Sequence, residues 1–272
     1  MSKLIGKKEI IVVTLAVALT TLGIKAADQF SGDNAIDKKN NGCGVDMVYV
    51  VAPGGGFCID KYEVSAGEDC PYIEPSSQSD TRFNVNEKKC EPVSKIGKIP
   101  WRFISQDQAA LACAKAGKRL PTNEEWFAAA LGTPDLLSDW NTDDCQVDDN
   151  WLDQPGKTGF GINCVSAAGA FDMIGNVWEW VRGTVSDGEY EGRELPSSGY
   201  IKGMDTGAMP VKTEDDPDPN YYNDHLWLTE KGVRGVARGG YWGNKGKAGQ
   251  YSLYVVVEPS YTGKGIGFRC AK

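Results

Sequence analysis

Histidine is nearly missing from this 272-residue chain, with His225 its only representative. That excludes a multi-histidine metal centre and a paired acid–base histidine site. A lone histidine of this kind reads as a partly exposed loop residue. No two cysteines stand in a C-x-x-C pair, so the close ligand pairs of a zinc site are missing as well. No basic run follows the N-terminal segment, and a formal net charge of -8 repels a phosphate backbone, so no nucleic acid is expected as partner. The one marked apolar run, Ile10 to Ile24, falls short of the ~20 residues that span a bilayer comfortably.

That run has a different meaning. Lys3, Lys7 and Lys8 precede it and Lys25-Ala-Ala-Asp28 follows, which is the layout of an export signal. Lys25 and Ile24 are both poor residues at the -3 position of a cleavage site, so residues 1–27 read as a signal peptide or an N-terminal membrane anchor. Either way the remainder is extracytoplasmic, secreted or anchored at the surface, and touches a membrane only through this segment. The eight cysteines (Cys43, Cys58, Cys70, Cys90, Cys113, Cys145, Cys164, Cys270) agree, because an even set without metal-type spacing in an exported chain reads as a disulfide framework. Spacing alone leaves the connectivity open. Cys145–Cys164 and Cys70–Cys90 are favoured because each closes one loop.

Residues 28–43 are polar and aperiodic and read as a linker. Folding is expected to begin at Val45-Asp-Met-Val-Tyr-Val-Val51, a strand that turns at Pro53-Gly-Gly-Gly56 into Phe57…Val64, a hairpin signal. The stretch from Gly67 to Pro92 reads as an irregular loop. Ser105-Gln-Asp-Gln108 and Thr122-Asn-Glu-Glu125 are capping boxes that start two helices, with Gly117 and Gly132 as their stops. From Thr133 to Asn163 and from Gly183 to Glu230 the chain is acidic and short of periodic apolar positions. Long segments of that kind argue against a bundle or a doubly wound sheet. The 33 glycines, 8 tryptophans and 11 tyrosines point to a loop-rich fold whose core relies on large aromatics.

Three ordered blocks carry a resemblance. They are Gly117-Lys-Arg-Leu-Pro-Thr-Asn-Glu-Glu-Trp126, Ala170-Phe-Asp-Met-Ile-Gly-Asn-Val-Trp-Glu-Trp180, and Arg238-Gly-Gly-Tyr-Trp242 with Gly267-Phe-Arg-Cys270. Together they resemble the formylglycine-generating-enzyme/sulfatase-modifying-factor domain, a variant of the C-type lectin fold. The resemblance implies an α+β fold over residues 44–272, with short strands, two main helices and long irregular loops. The enzyme of that family uses a cysteine pair between positions equivalent to Trp242 and Gly267, where this chain has none. No catalytic residue can therefore be carried over. The alternative is an oxidase acting on protein cysteine, or an inactive relative of one. The resemblance also implies a Cys113–Cys270 bridge, which leaves Cys43–Cys58 by elimination.

The closing segment, residues 238–270, resembles variable proteins of diversity-generating retroelements. These keep a frame such as Arg238-Gly-Gly240, Trp242, Ala248-Gly249, Leu253, Pro259-Ser260 and Ile266-Gly-Phe-Arg-Cys270 while adenine mutagenesis rewrites the positions between. The interleaved residues here are Tyr241, Gly243, Asn244, Lys245, Lys247, Tyr254, Val256, Val257, Tyr261, Gly263 and Gly265, which become the expected ligand-binding positions. Lys247 fits least, since a lysine codon is not simply reached from asparagine. Period-two alternation places Leu253 and Val255 on one face of a strand and Tyr254 and Val256 on the other. Tyrosine beside glycine is also the chemistry of antibody loops. The other reading of this run is an ordinary strand buried on both faces. An unknown protein or cell-surface ligand is the partner implied.

The middle block resembles a structural calcium site, with ligands at Asp172, Gly175, Val177 and Glu179. Carboxylates and backbone carbonyls are the hard oxygen donors that calcium takes. The other reading is that Glu179 forms an ion pair with Arg238 or Arg269.

Overall fold

Two antiparallel strands, β1 (Met47–Val50) and β2 (Phe57–Asp60), open the fold of the computed structural model, which describes residues 42–52 and 54–272. Within it, Cys43–Lys272 forms one unit. The expected export segment, and all but the last residues of the linker, lie outside the described residues. Among the described residues no helix is long and apolar enough to cross a membrane.

The Gly67–Pro92 stretch is not the irregular loop expected from sequence. It leaves β3 (Val64–Ala66), forms helix α1 (Gln78–Asn86) and returns as β4 (Pro92–Ser94), antiparallel to β3. Ser77 caps α1 by accepting from the Asp80 amide. The helix buries Thr81, Asn84 and Val85, and Asn84 exchanges hydrogen bonds with the Tyr72 backbone in both directions, at 2.9 and 2.7 Å. Polar pairing takes the place of an apolar stripe.

Both expected capping boxes are present. Ser105 starts α2 (Gln106–Lys115) and Thr122 starts α3 (Asn123–Ala130), each with its reciprocal glutamine or glutamate. Gly117, at φ +65°, takes the left-handed position that ends α2 and that favours glycine.

The second acidic stretch, 183–230, is also more regular than expected. It holds the end of β5 (Trp178–Ser186), then β6 (Glu189–Tyr190), β7 (Arg193–Glu194), β8 (Gly199–Met204), β9 (Pro210–Glu214) and β10 (His225–Leu228). With β11 (Val233–Arg238), β12 (Leu253–Val255) and β13 (Ile266–Phe268) they make one nine-stranded sheet in the order β7-β6-β5-β11-β12-β10-β8-β9, with β13 parallel to β5. The architecture is α+β. His225 opens a strand instead of sitting in a loop.

The core lies on both faces of this sheet. One side joins Ile59, Trp126, Met173, Val181, Leu226 and Leu253; the other joins Trp101, Ile104, Ala112, Trp180 and Phe268 under α2. Gly235, at a register shift between β11 and β5, leaves room for the Trp180 ring, since a Cβ there would stand 2.6 Å from it. Disulfides join Cys43–Cys58, Cys70–Cys90, Cys113–Cys270 and Cys145–Cys164, so every cysteine of the chain is bridged. Four such bridges belong to an oxidising compartment.

Candidate binding cleft

The register of three strands builds the site. Parallel pairing sets Leu226 beside Leu253 and Trp227 beside Tyr254, while β11 sets Ala237 opposite Tyr254. Because strand side chains alternate, Leu226 and Leu253 are fully buried in the core, and Trp227 and Tyr254 emerge half-buried on the other face. Trp178, at the start of β5, stacks on Tyr254 with ring centroids 5.3 Å apart and meets Trp227 edge-on at 5.4 Å. Such pairs add stability beyond the area they bury.

Tyr241 and Tyr261 complete a cleft of about 310 Å³. Its walls are Trp178, Trp227, Tyr241, Tyr254 and Tyr261, with Asn244, Lys264, Gly265 and Ile266 between them. The Tyr241 ring lies between Gly243 and Gly265, where a Cβ at either glycine would come within 3.0 Å of it. The Tyr261 ring covers Gly263 in the same way. Asn244 holds the turn by accepting the Tyr241 amide at 2.8 Å. The Tyr254 phenol is pushed up from its ordinary pKa by burial first, and then by the neighbouring Tyr261 and Tyr241 phenols. Lys264 is the single charged residue lining the cleft among the described residues.

Of the expected ligand-binding positions, Tyr241, Asn244, Tyr254, Tyr261 and Gly265 line the cleft. Gly243 and Gly263 act behind the rings. Lys247 lies outside the cleft lining, with its ammonium 5.0 Å from the Tyr200 ring centre, beside the Tyr200–His225–Trp227 stack. Lys245 is exposed and outside the cleft. Val256 and Val257 are half-buried, and Val257 packs on the core beneath α2. Trp242, Leu253, Ile266 and Phe268 are buried. Trp178, Trp227, Lys264 and Ile266 are the lining residues outside the expected set, Ile266 having been read as frame. The alternating His225-Leu-Trp-Leu228 run was the available signal for Trp227.

Two buried arginines clamp the segment at its ends. Arg238 donates to the Tyr251 and Ala208 carbonyls, both at 3.1 Å, and its guanidinium lies over the Trp126 and Phe127 rings. Arg269 grips Glu179 through Nε and Nη2, at 2.6 and 2.5 Å, and donates to the Asp60 and Phe171 carbonyls.

The residues expected as calcium ligands stand beside that grip, and of the two arginines expected as possible partners of Glu179 it is Arg269 that pairs with it. Both Glu179 oxygens accept hydrogen bonds, Oε1 from Arg269 and Oε2 from Arg269 and from the Trp126 indole N–H at 2.6 Å. Asp172 accepts from the Gly159 amide at 2.6 Å and is pushed up to about 7, chiefly by burial. Gly175 and Val177 direct their amides to the Gly239 carbonyl and to Glu63.

Residues 50–272 match the sulfatase-modifying factor enzyme 1-like domain. The chain belongs to this family. Among members of the sulfatase-modifying factor family it is 31% identical over 145 residues to "Inactive C-alpha-formylglycine-generating enzyme 2" of Bos taurus and, over the same length, to that of Mus musculus. Those alignments cover 47% of this chain, and the chain spans about half the length of these curated relatives, 48% and 47%. Solved structures similar to this sulfatase-modifying factor domain include "Major Tropism Determinant P3c Variant", at 18% identity and TM-score 0.43, covering 84% of this chain and 52% of that one. "Treponema denticola variable protein 1" matches at 14% identity and TM-score 0.40, covering 84% and 92%.

Proposed function

We propose that the chain is an exported ligand-binding protein, secreted or anchored at a surface, that binds a protein or cell-surface ligand in the aromatic cleft without catalysis. The carrying observation is the division of labour within residues 238–270. Frame residues Arg238, Trp242, Leu253, Phe268 and Arg269 are buried, while Tyr241, Tyr254 and Tyr261 converge on one accessible cleft. Tyrosine supplies large contact area at low entropy cost, which suits recognition. All eight cysteines are bridged, so no thiol remains for the cysteine chemistry of the family's enzyme. The bridges also suit an exported chain.

The interleaving of frame and cleft residues further supports a surface diversified by a retroelement. Sequencing the DNA beside the gene tests this. The expected result is a near-copy of the coding sequence for 238–270 that differs only at adenines, next to a reverse transcriptase. A locus with neither would refute diversification. Binding is tested by screening surface proteins against wild type and Tyr261→Ala in parallel; ligands retained equally by both would refute the cleft.

A further inference from the structure

Two carboxylates away from the cleft lack partners for half of their oxygens. Asp135 is 8% exposed, Asp224 is fully buried, and they are held by consecutive amides of one bend. Asp135 Oδ2 accepts from the Gln250 amide at 3.2 Å and Asp224 Oδ2 from the Tyr251 amide at 2.7 Å. A hydrogen bond from the Ser252 amide to the Gly249 carbonyl closes that bend. Gly249 is obligatory there, because a Cβ would overlap the Asp224 carboxylate. Asp135 Oδ1, Asp224 Oδ1, the side-chain oxygen of Gln250 and that of Asn223 are all buried and accept no hydrogen bond of normal geometry, although the Ser252 hydroxyl and amide lie close enough to Asp224 to favour its charged form. Gln250 is itself only 7% exposed.

Unpartnered buried carboxylates are costly, and the cost falls when a cation neutralises them. Arg238 is the cation acting on Asp224. One positive charge against two carboxylates leaves a negative charge over. Burial and the neighbouring Asp224 charge hold the Asp135 carboxyl well above the usual carboxylate range, as an uncompensated pair requires. The orphaned donors of these four residues are all oxygen, from two carboxylates and two carboxamides. His225 Nδ1, next in the chain, also lacks a hydrogen bond, and its ring packs against Tyr200 and Trp227. Hard oxygen donors brought from separate loops suit calcium, whereas magnesium demands stricter octahedral geometry and keeps its waters.

We infer that Asp135, Asp224 and the Gln250 side-chain oxygen, with Asn223 at the edge, bind a calcium ion. It would join the 133–140 loop, the turn before β10 and the bend before β12, and so brace the strand that carries Tyr254. The site is independent of the ligand reading.

The test uses the full disulfide-bonded chain and two probes. Terbium should give saturable emission sensitised by Tyr251, whose phenol is raised first by burial and then by neighbouring groups that include both carboxylates, and calcium should displace it. Calcium should also raise the melting temperature over a chelated sample. Asp135→Asn and Gln250→Met should each lose both responses while remaining folded by circular dichroism, and Asp172→Asn should keep them. Wild type with neither terbium emission nor a calcium shift overturns the site. So does a pH-dependent melting temperature that ignores calcium, which would mark a proton shared by the two carboxyls. A response that Asp172→Asn abolishes and Asp135→Asn retains would also overturn it.

Discussion

Replacing Arg269 by methionine keeps most of its volume and removes the one guanidinium that grips Glu179. Glu179 would then hold only the Trp126 indole N–H, and the carbonyls of Asp60 and Phe171 would lose their donor. Breaking a buried pair by deleting one partner typically costs about 3–5 kcal/mol. At this chain length that lowers the melting temperature by roughly 10 °C. The loss should depend on pH. Asp172 is already raised to about 7 and Glu63 is held well above the usual range, both chiefly by burial, with Arg269 pulling each downward. Without the guanidinium both carboxyls rise further. A group whose folded pKa is raised contributes stability that is present below its unfolded pKa, about 4, and lost as pH rises through the folded value. Arg269→Met should therefore trail wild type by more at pH 8 than at pH 5. Thermal unfolding without reductant at both values measures this. A deficit of less than about 1 kcal/mol, below the range for a broken buried pair, or one equal at both pH values, would refute the reasoning.

Tyr261→Ala should leave stability within about 0.5 kcal/mol, as for an exposed side chain, while weakening ligand capture. Tyr254→Ala should cost more, about 1 kcal/mol or above, because it loses the Trp178 stack; equal melting curves for the two variants would contradict this. Replacing Cys113 and Cys270 together by alanine should cost about 2–5 kcal/mol by denaturant titration, since the bridge closes 157 residues of sequence. Thr122→Ala should cost about 1 kcal/mol by the same titration through loss of the α3 cap.

What could be read from the sequence was local. Ser105 and Thr122 with their partners three residues on announce α2 and α3, and the Leu253–Val256 alternation announces which side chains turn outward. Helix α1 was missed because its packing face is Thr81, Asn84 and Val85, which gives no apolar period, although Ser77 was a cap in plain view. Strand β9 is largely exposed and β8 mostly half-buried, so burial leaves little imprint on their residues. Trp178 and Trp227 belong to the cleft only through strand register, which joins positions far apart in the chain. The choice between Arg238 and Arg269 as the partner of Glu179 was open for a related reason: Arg269 reaches the carboxylate from ninety residues away.

The cleft has two kinds of wall. Tyr241, Tyr254 and Tyr261 come from residues 238–270, but Trp178 and Trp227 come from β5 and β10, outside that segment. Any rewriting confined to 238–270 leaves both indoles where they are. A repertoire diversified in that way would not be free to explore all shapes, because each member would inherit the same pair of indoles set edge to face. It would favour ligands that offer an apolar group to pack in that corner, and would select among them through the changeable wall.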